Sequence, residues 1–366
     1  MNVGLFMGHP AHFHVLKNVA RNLQQDGHSV YFVAKRKDIL EDLLTNSGYH
    51  FELIRQNRGN GVWEQIKSVL HMERGMCNFI KEKNIDILIG STLTFAARIM
   101  MRIPVIEIGE DDANIVPRMA MLAYPFASSI LSPVSCDNGK WEKKTIHYEG
   151  FQKLAYLHPK RFEPKTSVVE SYGIKTDKPY FLLRFAQLNA HHDQGIHGID
   201  TDIAQHLIDL FSQHGNIYIT SERELEPQFE QYRLHINPLD IHHVMAYATM
   251  YVGDSQSMAV EAAMLGVPSL RFNDFNGKKK IGVLTELEDK YQLTYGIPST
   301  EPDALYRKIV ELLAIPDLRQ EWQRRREIML ADKIDVTAFF TWFIENYPDS
   351  ASIARNATPD FWTQFK

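Results

Sequence analysis

Short apolar runs alternate along the first part of the chain with longer stretches whose apolar positions recur at helical spacing. NVGLFM (2–7), SVYFVA (29–34), IDILIG (85–90), PVIEIG (104–109) and SSILSPV (128–134) read as strands. HVLKNVARNLQQDG (14–27) and WEQIKSVLHMERGMCNFIKEK (63–83) read as helices. Strand then helix, repeated, predicts a parallel sheet covered on both faces. The proline- and charge-bearing stretch 149–179 interrupts the rhythm and is expected to connect two domains. The alternation restarts with strands YFLLRF (180–185), NIYITS (216–221), MYVGD (250–254) and SLRF (269–272), and with helices DIAQHLIDLFSQHG (202–215) and SMAVEAAMLG (257–266). DVTAFFTWFIENYP (335–348) closes the chain as an aromatic helix. The expected class is α/β, with Rossmann-like domains over 1–160 and 161–334 that face a central cleft. A helical segment, 335–366, is expected to pack back on the first domain.

Length supports this division, because single cores stop growing beyond roughly 250–300 residues and the chain has 366. Forty basic and 45 acidic residues leave a net charge of -5, which gives no case for a nucleic-acid-wrapping surface. Cys77 and Cys136 are too few for a disulfide framework and lack the paired spacing of a zinc site, so a reducing, cytoplasmic setting is expected. The N-terminus has no basic segment ahead of its apolar run, and no stretch approaches the roughly 18 apolar residues of a membrane span.

Loops after parallel strands are where ligands are expected. The most informative is GDSQSMAVEAAMLGVPSLRFND (253–274). Gly253 and Asp254 end a strand, Ser255 and Ser257 flank Gln256 and offer hydroxyls and helix caps, and the following SMAVEAAMLG (257–266) is helical. Backbone N–H groups at such a start suit a diphosphate, and Glu261 one turn on can accept from a ribose diol. The plainer alternative is a Ser255 cap with Glu261 as helix surface.

This loop resembles the nucleotide-sugar loop of GT-B enzymes. Non-hydrolysing UDP-N-acetylglucosamine 2-epimerases carry D-S-G-G-x-x-x-E-A there. Asp254, Ser255, Glu261 and Ala262 match it, while Gln256 and Ser257 stand in place of the glycines. A closer resemblance runs through four ordered motifs: GHPAHFH (8–14), YEGFQKLAYLHP (148–159), RFAQLNAHHDQG (184–195) and GDSQSMAVEAAMLGVP (253–268). On these the chain is identified as a member of the domain-of-unknown-function 354 family of GT-B-like proteins. The resemblance implies the GT-B fold more firmly than any one reaction.

By the same resemblance, the loop after residue 185 reaches donor phosphates. Arg184 is the expected clamp, since its planar fork suits bidentate oxyanion binding, with His191 and His192 lining the site beside Asp193. GT-B enzymes generally need no metal for this, so no metal or cofactor is expected and a UDP-sugar is the substrate. His197 reads as a surface histidine. Asn237 belongs to a turn that in GT-B folds holds the base, beside Ile236 and Leu239.

In the opening loop, Gly8 permits a sharp turn and Pro10 favours a helix start. His12 is the candidate base for an incoming hydroxyl, with His9 and His14 shaping the cleft. Glu110, Asp111 and Asp112, directly after a strand, offer Asp112 and Asp111 as the competing base; an ordinary cap is the bland alternative.

The expected function is glycosyl transfer from a nucleotide diphosphate donor, UDP-linked, to a glycan or lipid-linked acceptor in surface polysaccharide synthesis. The first domain would hold the acceptor and the second the donor. A UDP-N-acetylhexosamine 2-epimerase is the runner-up, although its G-T-R-P-E-x-x-K loop is matched only at Gly8 and Pro10. A non-catalytic nucleotide-sugar-binding protein is the third reading. A lipid-linked acceptor implies peripheral membrane association, for which KWEKK (140–144) and GKKKIGVL (277–284) are the candidate segments.

Overall fold

The computed structural model describes residues 1–35, 38–54, 62–90, 95–186, 198–274 and 281–366. Its contacts divide the chain into two units, Met1–Arg161 with Lys333–Lys366, and Phe162–Asp332.

Unit 1 is built on a seven-stranded sheet. Its strands are β1 (Asn2–Met7), β2 (Ser29–Lys35), β3 (Phe51–Ile54), β4 (Ile87–Gly90), β5 (Val105–Ile108), β6 (Ser129–Pro133) and β7 (Thr145–Tyr148). They lie in the order β3-β2-β1-β4-β5-β6-β7, every pair parallel. The chain winds from β1 outward to β3, then returns to β4 on the other side of β1. That reversal opens a crevice at the C-terminal ends of β1 and β4, the usual ligand position in such sheets.

Unit 2 holds β8 (Tyr180–Phe185), β9 (Asn216–Ser221), β10 (Met250–Gly253), β11 (Ser269–Phe272) and β12 (Thr294–Ile297). Their order is β12-β11-β10-β8-β9, again parallel throughout. Here the reversal falls between β8 and β10. Gly253, at the end of β10, is required by close approach: a Cβ there would lie 2.6 Å from Tyr251 Oη and 2.8 Å from Arg184 Cβ.

Three strands, β3, β7 and β12, were not expected from the sequence. FELI carries Glu52, TIHY a single aliphatic residue, and TYGI a glycine, and all three form sheet edges. An edge strand is less enclosed and so needs a weaker apolar signal.

The stretch 149–179 is not a free connection. Phe151, Leu154, Ala155 and Leu157 are wholly buried in unit 1, and the Ala155 carbonyl accepts from Asn18 Nδ2 (2.9 Å) and Thr337 Oγ1 (2.6 Å). The C-terminal segment is part of the same core. Asp335 caps the Val336–Glu345 helix and pairs with Arg161 at 2.7 Å, while Phe339 meets the rings of Tyr148, Trp362 and Phe365.

Candidate functional site

In unit 1, β1 delivers Gly8 and His9 to the crevice beside β4. His9 is exposed and caps the Pro10–Gln25 helix, its Nδ1 accepting from Ala11 N at 3.2 Å, with Pro10 in the first turn. His12 Nδ1 accepts the Gly8 N–H at 3.2 Å, and its ring lies 6.2 Å from that of His9. This bond has a chemical consequence. A neutral imidazole whose Nδ1 accepts carries its proton on Nε2, so the resting ring presents a donor. His14 points elsewhere: it is buried, with its ring 5.3 Å from that of Tyr156.

The acids after β5 have three different fates. Asp111 is exposed. Asp112 is buried and braces a neighbouring loop, its Oδ1 accepting from Asp137 N at 2.7 Å. Glu110 forms a short, shielded ion pair with Lys153 and also accepts from Gln152 N at 2.9 Å. Cys136 Sγ donates to the Glu110 carbonyl at 2.9 Å, and burial together with the adjacent acids pushes its thiol well up. Sequence reading missed the Glu110–Lys153 pair. The available signal was a lysine inside the apolar stretch FQKLAYL.

In unit 2 the reversal between β8 and β10 gathers most of the expected donor-side residues. Asp254 is buried, and its Oδ1 accepts from Ala186 N at 2.6 Å. A further hydrogen bond from the Ile199 backbone makes this carboxylate an internal tie. Burial outweighs these bonds and the nearby Arg223, raising Asp254 to about 6. Ser255 caps the Gln256–Met264 helix, its Oγ 3.5 Å from Met258 N, and Asn273 Nδ2 donates to the Asp254 carbonyl at 2.9 Å. Gln256 is half-buried and Ser257 exposed, at a helix start whose first N–H groups have no partner within the helix.

One turn on, Glu261 is buried, and its Oε1 lies 3.3 Å from His242 Nε2. His242 is buried as well, with the Phe162 ring edge-on to it at 6.2 Å. It belongs to the Ile241–Tyr247 helix and was not singled out in the sequence, because its partner lies in another element. Arg184, at the end of β8, is ion-paired with Glu222. Asn237 is exposed; its Oδ1 accepts from Leu239 N at 3.0 Å and its N–H donates to Tyr172 Oη at 3.2 Å. His191 and His192, with Asp193 and His197, lie outside the described residues, as do Lys278, Lys279 and Lys280 of the second basic segment. Among the described residues, no cluster of three or more His, Cys, Asp or Glu is placed to hold a metal ion, and no helix is long and apolar enough to cross a membrane.

Parallel sheets of seven and five strands, each with a reversal that gathers candidate binding residues, define a GT-B-like α/β protein. The chain belongs to the family described as "Protein of unknown function (DUF354)", which it matches over residues 2–293. No curated protein matches it. Solved structures share the fold at low identity. The UDP-GlcNAc 2-epimerase from Neisseria meningitidis bound to UDP-GlcNAc is 15% identical, with a TM-score of 0.65 over 94% of this chain and 98% of that one. The S. aureus MnaA-UDP co-structure is 14% identical, with a TM-score of 0.63 over 96% and 98%. The spinosyn rhamnosyltransferase SpnG complexed with thymidine diphosphate is 13% identical, with a TM-score of 0.62 over 94% and 100%.

Proposed function

We propose that this protein is a glycosyltransferase that takes a sugar from a nucleoside diphosphate donor, UDP-linked, and passes it to a glycan or lipid-linked acceptor in surface polysaccharide synthesis at the cytoplasmic side of the membrane. The observation that carries the reading is the Ser255-capped helix start after β10, with Glu261 one turn along and 3.3 Å from His242 Nε2. Helix-start N–H groups favour a diphosphate, and a carboxylate favours the two hydroxyls of a ribose. Departure of the nucleoside diphosphate is assisted where those N–H groups meet its developing charge. Arg184 contributes once the phosphates compete with Glu222 for its guanidinium.

Acceptor chemistry is assigned to unit 1. His12 is the proposed base, and it acts once acceptor binding exchanges the Gly8 N–H for the acceptor hydroxyl, freeing a lone pair to take the proton. Asp111 is the exposed alternative, while Asp112 is already committed to Asp137.

A 2-epimerase is the second reading, favoured by the matches at Asp254, Ser255, Glu261 and Ala262 and by folds such as the Neisseria enzyme. The two reactions differ at C2 of the sugar. Incubation with UDP-N-acetylglucosamine in deuterated water leaves C2 unexchanged for a transferase, whereas deuterium at C2 would assign the epimerase. Slow release of free sugar and UDP without acceptor supports transfer.

A further inference from the structure

One face of unit 1 combines outward apolar side chains with a local excess of positive charge. The single turn Ala96–Met100 presents Ile99 and Met100 at 52% and 60% exposure, with Phe95 beside them. The Pro117–Ala123 helix presents Met121 and Leu122 at 63% and 72%, on the same side as exposed Arg118. The two elements are neighbours: the ring of Phe95, just before the first, meets that of Phe126, just after the second, edge-to-face at 5.2 Å. A third element, Gly139–Lys144, borders them: Lys144 Nζ donates to the carbonyls of Pro125 (2.6 Å) and Ala127 (3.0 Å), and burial first, then the nearby Arg98, disfavours its ammonium.

Across residues 95–102, 117–124 and 139–144 the charged side chains are Arg98, Arg102, Arg118, Lys140, Lys143 and Lys144 against Glu142 alone, in a chain whose net charge is -5. Glu142 is bonded to Asn138 N and His147 Nε2, and Glu73 at the border turns to the Ala96 N–H at 2.8 Å. Asp111 is an exposed acid beyond these segments, close enough to Tyr124 to add to burial and Glu107 in disfavouring its phenolate.

Exposed apolar patches of this kind mark interaction sites. Short amphipathic turns carrying Met, Leu, Ile and Phe between arginines fit the boundary between anionic headgroups and acyl chains. A second copy of the chain fits less well, since a twofold contact sets one cationic patch against another. We propose that the face formed by Phe95, Ile99, Met100, Met121 and Leu122, ringed by Arg98, Arg102 and Arg118, docks unit 1 on an anionic lipid surface. This does not depend on the sugar-transfer reading, because docking is measured without any nucleotide sugar.

The test is flotation of the full chain with vesicles of phosphatidylcholine, with and without phosphatidylglycerol, at low and high salt. The protein is expected to float with the anionic vesicles and not the neutral ones, and to be released by salt. The double substitution Met121→Asp and Leu122→Asp, at outward positions, should weaken partitioning by about tenfold or more with an unchanged thermal midpoint. Arg98→Gln with Arg118→Gln should weaken it and flatten the salt dependence, and this pair decides the matter if the first fails to fold. No partitioning of the wild type, or full partitioning of both variants, overturns the proposal. So does conversion of a dimer to a monomer by the Asp variant with vesicle binding intact, which would make the face a subunit interface.

Discussion

Asp254 Oδ1 accepts the Ala186 N–H at 2.6 Å, so one buried carboxylate ties the end of β10 to the end of β8. Burial raises it from 3.8 to about 6, so the folded state holds this proton more tightly than the unfolded chain does. Its stabilising contribution is therefore fully present below about pH 4 and lost as pH rises through about 6. A shift of this size corresponds to about 2–3 kcal/mol. Asp254→Asn, neutral throughout, should flatten the fall in urea midpoint over that window. Parallel curves for wild type and variant would show that Asp254 does not drive it.

The His242–Glu261 pair predicts a selectivity. If His242 holds Glu261 for a ribose diol, UDP should bind more tightly than 2′-deoxy-UDP, and His242→Ala should reduce that preference by about tenfold. His242→Gln, which keeps a donor, should restore part of it. A wild-type preference that survives His242→Ala would leave the histidine a packing role only.

His12 carries a sharper prediction because its Nδ1 is engaged by Gly8. A base must take a proton, whereas a donor need only keep one. Both His12→Ala and His12→Gln should lower transfer by roughly 10²–10⁴-fold while UDP affinity changes little. Recovery in the Gln variant would make His12 a hydrogen-bond donor and move the base to Asp111, which Asp111→Asn then tests.

Glu110 and Lys153 form a shielded pair, and breaking one side leaves a buried charge without its partner. Lys153→Met should cost about 3–5 kcal/mol in equilibrium unfolding, and adding Glu110→Gln should return much of it. Additive losses would mean that the two groups are not coupled.

The central strands were legible because they are enclosed on both faces: Asn2–Met7, Tyr180–Phe185 and Ser269–Phe272 appear as apolar runs with those bounds. Three of the four edge strands, Phe51–Ile54, Thr145–Tyr148 and Thr294–Ile297, were not, since a polar residue or glycine is tolerated there; the fourth, Asn216–Ser221, was legible because two isoleucines alternate in it. Candidate residues were legible where chain order supplies the geometry, as with His9, His12 and the Ser255 cap. They were hidden where tertiary packing supplies the partner. Nothing near His242 announces Glu261, and Lys153 sits in a stretch whose prolines and charges suggest a connector although its Phe151 and Leu154 are wholly buried. Arg184 was legible as a cation at a strand end, but its engagement by Glu222 was not.

The most direct test of the central claim is calorimetric titration of UDP into the wild type and into Glu261→Ala. Saturable binding by the wild type, weakened by about tenfold or more in the variant, is the result this account predicts for a ribose held by Glu261 beside the Ser255-capped helix. Absence of binding by UDP and by every other nucleoside diphosphate, with the wild-type protein folded, would contradict it.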